Sequence, residues 1–144
     1  MKNIFLFVFA ASFATEGFCQ TNDSTAIVRV LEKESATWHS GDTTAHAACW
    51  QIEPYTSIIV MTPDGKTFAV PVEKIIHPAP GTAGQGGTSK NSNYVMSIRG
   101  TTALVTHNET STSPNGSVNH TYEVRMLEKI NGQWKLTGQI IQKL

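Results

Sequence analysis

The chain has little of what usually announces a function. Cysteine is scarce: Cys19 and Cys49 are the only two in 144 residues. Charge of either sign is in short supply and balanced, with Lys plus Arg and Asp plus Glu at 11 each and charged residues at 15%. A neutral chain without a basic stripe or acidic block does not point to nucleic acid or to a solvating tail. No CxxC or HExxH spacing occurs, so neither a metal nor another cofactor is indicated. The longest apolar run, Ile4 to Ala14, is too short to cross a bilayer as a helix. What remains is a 40% apolar composition, ordinary for one soluble domain with one core.

That apolar run follows Met1-Lys2-Asn3, and Gly17 and Cys19 fit the −3 and −1 positions of a secretory cleavage site. The expected organisation is a signal peptide over residues 1–19 and one domain over 20–144, secreted or periplasmic, with no membrane association in the mature form. Two alternatives stay open: a buried N-terminal helix, and a lipoprotein cut before Cys19, against which the bulk of Phe18 argues. Removal of Cys19 leaves Cys49 without a disulfide partner, and its Ala-rich surroundings predict a buried, inert thiol. Asn-x-Ser/Thr occurs at Asn22, Asn108, Asn115 and Asn119, which matters only in a eukaryotic secretory pathway.

Asn22-Asp23-Ser24 offers helix caps, and Ile27, Leu31, Glu34 and Trp38 follow at helical spacing, with Gly41 suited to end the helix. Asp42 is expected to cap a second helix, Thr43 to about Trp50. Tyr55 to Met61 reads as a strand, Pro63-Asp64-Gly65 as a turn, Thr67 to Val70 as a returning strand and Pro71 to Ile76 as a short helix. Residues 78–92, rich in Pro, Gly, Ser and Thr, read as a mobile loop. Strands are expected over Tyr94–Arg99, Thr102–Ser111, Asn119–Lys129 and Gln133–Lys143.

Two Asn-Gly dipeptides, Asn115-Gly116 and Asn131-Gly132, mark hairpins. A two-residue turn at Asn115-Gly116 sets Pro114 against Ser117, and so His107 against Val124 and Glu109 against Tyr122. A three-residue loop, Ile130-Asn131-Gly132, then brings Leu136 against Met126 and Gly138 against Val124, with one coherent apolar face. On this reading Arg125 points outward, to the surface or a dimer interface, and His46 lies on a helix surface.

Trp38…Gly41-Asp42, Ala48-Cys49-Trp50…Pro54-Tyr55, Thr62-Pro63-Asp64-Gly65, Asn93-Tyr94…Gly100-Thr101-Thr102-Ala103 and the long run Tyr122 to Leu136 together resemble the nuclear transport factor 2-like superfamily. The similarity is greatest to its SnoaL-like and ketosteroid-isomerase-like exported bacterial members, and it covers essentially the whole mature chain. It implies an α+β fold, cystatin-like, in which a cone-shaped curved antiparallel sheet wraps N-terminal helices and its open end makes a pocket. The superfamily holds isomerases, cyclases, dehydratases and transport factors, so the fold does not settle the function. Two departures stand out. The 78–92 loop replaces a fuller third helix, and Gly138 and Ile140 stand where many relatives carry histidines. The isomerase's Tyr and protonated Asp oxyanion hole has no counterpart here, so that activity is not supported.

The inward face so derived carries His107, Glu109 and Tyr122 as candidate catalytic residues, with His120 near the rim. His107 could act as a base and Tyr122 as a donor to a carbonyl oxygen. Trp38, Trp50, Tyr55, Val124 and Gly138 are the candidate ligand-binding residues, Gly138 because its missing side chain could leave a cavity. Three functions stay open: an exported domain binding a small apolar or partly polar ligand, a lyase or isomerase moving a proton through His107, and a dimeric interaction module without catalysis.

Overall fold

The computed structural model describes the chain from Glu16 to Leu144, with side chains from Asn22 onward. The apolar leader run lies outside the described residues. The first helix, α1 (Glu16–Ser40), extends N-terminally past the expected Asn22–Ser24 cap. Its stripe faces the sheet: Ile27 and Leu31 are fully buried and Glu34 nearly so. The helix stops at Gly41, whose φ of 78° an L side chain rarely adopts and whose N–H donates to the Thr37 carbonyl at 3.0 Å. Asp42 then accepts from the Ala45 N–H at 2.9 Å and starts α2 (Thr43–Ala47).

Strands β1 (Ser57–Met61) and β2 (Thr67–Val70) and a single turn, α3 (Glu73–Ile76), fall close to the expected positions. The 78–92 segment does not. Gly84 N–H donates to the Trp38 carbonyl at 2.9 Å, Gly86 N–H to the His39 carbonyl at 3.1 Å, and His39 Nδ1 donates to the Gly86 carbonyl at 3.1 Å. The loop thus supplies donors to carbonyls that a helix C-terminus leaves unpaired. Glycine permits the approach, because a Cβ on Gly41 would come within 2.8 Å of the Gly84 Cα. Thr88 to Ser92, expected in the loop, already pair with the next strand.

The remaining strands are β3 (Thr88–Arg99), β4 (Thr102–Thr112), β5 (Val118–Ile130) and β6 (Gln133–Lys143). The sheet runs β2-β1-β6-β5-β4-β3, antiparallel except where β1 lies parallel to β6. It curves around α1. Val105, Leu127, Trp134 and Leu136 meet Ile27 and Leu31 in the core, with Trp50, Cys49 and Ile58. At about 1.5–3 kcal/mol per fully buried large apolar side chain, this cluster is the main source of stability.

Both turns differ from the expected forms. At the first, Ser113 pairs with Ser117 and Gly116 N–H donates to the Ser113 carbonyl, each at 2.9 Å. The loop is therefore three residues, with Gly116 at φ 84°. Pro114 explains the choice: it suits the second position of a type I turn, and it has no N–H to donate across a two-residue turn. At the second turn Ile130 pairs with Gln133, and Asn131 (φ 49°) and Gly132 (φ 79°) form the two-residue type I′ turn. This turn sets Leu136 against Leu127, and a bulge between Met126 and Leu127 then shifts the rest of β6, so Gly138 opposes Met126. The first change moves β5 by one residue against β4. Glu123 opposes His107 and Thr121 opposes Glu109.

Candidate functional site

Strand parity follows from these turns. On the concave side β4 presents Val105, His107, Glu109 and Ser111, β5 presents Thr121, Glu123, Arg125 and Leu127, and β6 presents Trp134 and Leu136 and, past the bulge, Gln139 and Ile141. The half near the 131–132 turn is apolar and filled by α1. The other half is polar, and there the cone opens into a cavity of about 480 Å³. Its walls include Trp38, His39, Ile75, Ile141 and Leu144, with His120 and Lys143 also among the lining residues.

The floor is a buried ionic cluster. Arg125, 2% exposed, places Nη2 2.5 Å from Glu123 Oε2 and Nη1 3.2 Å from Glu34 Oε2. Glu123 also accepts from Thr121 Oγ1 at 2.8 Å and Gln139 Nε2 at 3.2 Å. Glu109 accepts from Ser35 Oγ at 2.7 Å and Ser111 Oγ at 2.8 Å. Among the described residues Glu34 accepts no hydrogen bond of good geometry from Arg125 Nη1 or His46 Nε2, which lies 3.7 Å from Oε1. Burial works against the charge on Arg125, but the carboxylates of Glu34, Glu123 and Glu109 outweigh it and hold its pKa above the ordinary value. Burial pushes the Glu34 carboxyl up, with Arg125 opposing. Burial, seconded by Arg125, pushes the His107 imidazole down, against the attraction of Glu123, so the ring is neutral at pH 7.

The expected site residues divide accordingly. His107 and Glu109 share the concave face, and Trp38 lines the cavity. His107 lies beneath the floor, fully buried, its Nε2 3.8 Å from Glu123 and without a hydrogen bond, its ring 5.3 Å from that of Tyr94. Tyr122 and Val124 are on the outer face, displaced by the three-residue first turn. Gly138 leaves no cavity: it opposes Met126, whose Cε would lie 2.7 Å from an added Cβ. Trp50 is a core residue bridged to Leu136, and Tyr55 is 60% exposed, its hydroxyl donating to Glu128 at 2.7 Å. Arg125 and His46, expected at the surface, are both buried. Glu34, His46, Glu123, Arg125 and Gln139 were missed. The signal for Glu34 was present, a carboxylate on an apolar helical stripe. For Glu123, Arg125 and Gln139 the signal needed the turn forms and the bulge. Among the described residues no group of three His, Cys, Asp or Glu is placed to hold a metal ion, and no helix is long and apolar enough to cross a membrane.

No family model matches the sequence, and no curated protein matches it. Solved structures do. A Nostoc punctiforme protein of unknown function with a cystatin-like fold superposes with a TM-score of 0.66 at 15% identity, over 85% of this chain and 92% of that one. The chain has the nuclear transport factor 2-like, cystatin-like fold. An NTF2-like protein of unknown function from Shewanella baltica gives 0.60 at 21% identity, over 86% and 95% of the two chains. The association domain of C. elegans CaMKII gives 0.65 at 18% identity, over 85% and 97%. Identities this low carry the NTF2-like architecture and not an activity.

Proposed function

We propose that this protein is an exported small-molecule-binding domain whose ligand occupies the cone above Arg125. The observation that carries the reading is the cavity itself: about 480 Å³, apolar on part of its wall, with buried polar groups converging on its floor. That volume falls within the usual range for small-molecule sites. Export rests on the sequence of the first 19 residues alone. A homodimer is supported by the outer sheet face, where Val95, Leu104 and Tyr122 are exposed beside Val124, Met126 and Ile140. The CaMKII association domain has the same architecture.

Proton transfer by His107, Glu109 and Tyr122 has less support, because His107 does not line the cavity and Tyr122 is on the outer face. Native mass spectrometry of the purified protein, followed by a thermal-shift screen of small molecules, tests the binding reading. A ligand that stabilises the parent and loses its effect in Trp38→Ala is the expected result. A hit whose effect is unchanged in Trp38→Ala would place the ligand outside the cone.

A further inference from the structure

Two acceptors face each other on the cavity floor with no donor between them. His46 Nδ1 lies 3.1 Å from the backbone carbonyl of Glu34. A carbonyl only accepts, so Nδ1 carries the proton, and in the Nδ1–H tautomer of the imidazole Nε2 is a bare lone pair. His46 is 1% exposed, lines the cavity, and its Nε2 has no hydrogen-bond partner. The nearest group is Glu34 Oε1 at 3.7 Å, too far for a hydrogen bond and, as a carboxylate, itself an acceptor. Buried polar atoms are almost always paired, so this juxtaposition calls for a donor with two hydrogens.

The charge of the floor says what kind of donor. The carboxylates of Glu34, Glu109 and Glu123 face one guanidinium, Arg125. Glu109 and Glu123 are each held by hydroxyl or amide donors. Glu34 is the one left short. Trp38, whose ring centroid is 5.1 Å from that of His46, offers an aromatic wall for the ligand's carbon skeleton.

We propose that the cavity takes a small organic molecule bearing a primary or secondary ammonium group, which donates one N–H to the Glu34 carboxylate and another to His46 Nε2. The inference rests on the cone being a binding site and adds the chemistry of its ligand. Quaternary ammonium groups lack the hydrogens, and carboxylic acids bring the wrong charge. Binding weakens as pH falls and Glu34 takes up a proton. The charged and titratable groups facing Glu34 are His46 from α2, Glu109 from β4 and Glu123 and Arg125 from β5.

Four probes of one size separate the outcomes: benzylammonium, trimethylbenzylammonium, benzyl alcohol and benzoate, titrated by calorimetry into the parent and into Glu34→Gln. The expected result is saturable binding of benzylammonium, weaker by roughly ten-fold or more for the other three and in Glu34→Gln, as befits loss of a charge-assisted hydrogen bond. Benzyl alcohol or benzoate binding as tightly as benzylammonium leaves the cone as a binding site and overturns the ammonium inference. Failure of every probe, and of a broad screen, removes the binding reading itself. The His46 tautomer is checked independently by ¹⁵N NMR of the parent near pH 7. A protonated Nε2 would mean that the imidazole itself fills the gap, and the inference would fall.

Discussion

Arg125→Met is the most incisive perturbation of the cone. It keeps the length and much of the volume of the side chain but removes the guanidinium that bridges Glu34 and Glu123. Breaking a buried pair by deleting one partner costs about 3–5 kcal/mol, because the remaining charge stays desolvated and uncompensated. Domains of this size are stable by only about 5–15 kcal/mol, so the variant should be marginal. In urea, at an m of roughly 1.5 kcal/mol/M, the midpoint should fall by about 2–3 M. Trp50 and Trp134, both buried in the core, supply the fluorescence signal.

The pH dependence distinguishes an electrostatic cause from loose packing. The Glu34 carboxyl is already raised in the folded parent, and losing Arg125 raises it further. A group whose folded pKa lies above its unfolded value, here near 4.3, contributes stability that is present below the unfolded pKa and is lost as pH rises through the folded one. The gap between parent and variant should therefore be widest at pH 7 and shrink toward pH 5. Adding Glu34→Gln to Arg125→Met should recover part of the loss, a coupling that additive packing effects do not give. A midpoint within error of the parent, or a gap constant from pH 5 to 7, would refute the claim that Arg125 holds the buried carboxylates together.

Other expectations are simpler. Trp134→Ala should cost about 3–5 kcal/mol in chemical denaturation, since the side chain is buried and its Nε1 donates to Asp23 at 3.0 Å. Asp23 has its carboxyl pKa lowered by hydrogen bonds from Lys129 and Trp134, so its contribution is present above its unfolded pKa and lost as pH falls through the folded one; in Asp23→Asn the acid limb of the stability curve should flatten. Gly132→Val should destabilise by about 1 kcal/mol or more because φ is 79° at the type I′ turn, whereas Gly138→Ala should cost little, as Met126 Cε is the flexible end of its side chain. Leu104→Lys on the outer face should turn a dimer into a monomer in light scattering without changing the melting behaviour of the cone; a parent that is already monomeric would remove the dimer proposal.

Local chemistry in the sequence determined the elements. The helix stop at Gly41, the Asp42 cap, the strands either side of Pro63-Asp64-Gly65 and both hairpins follow from backbone preferences that act over a few residues. The buried stripe Ile27, Leu31, Glu34 is equally a matter of helical period, and the inward placement of His107 and Glu109 follows from their sharing a face with Val105. The tertiary structure decided which side of the sheet β5 presents. Asn-Gly is compatible with loops of either length, and a one-residue difference exchanges Tyr122 and Val124 for Glu123 and Arg125. Pro114 resolves the first turn through its missing N–H, and at the second a two-residue turn places Trp134 and Leu136, while the bulge beyond them turns Gln139 and Ile141 to the same side. Side chains alternate with period two along a strand, so the identity of the cavity floor hung on a count of single residues at turns and bulges, and only packing against Glu34 and His46 on the helices fixes that count.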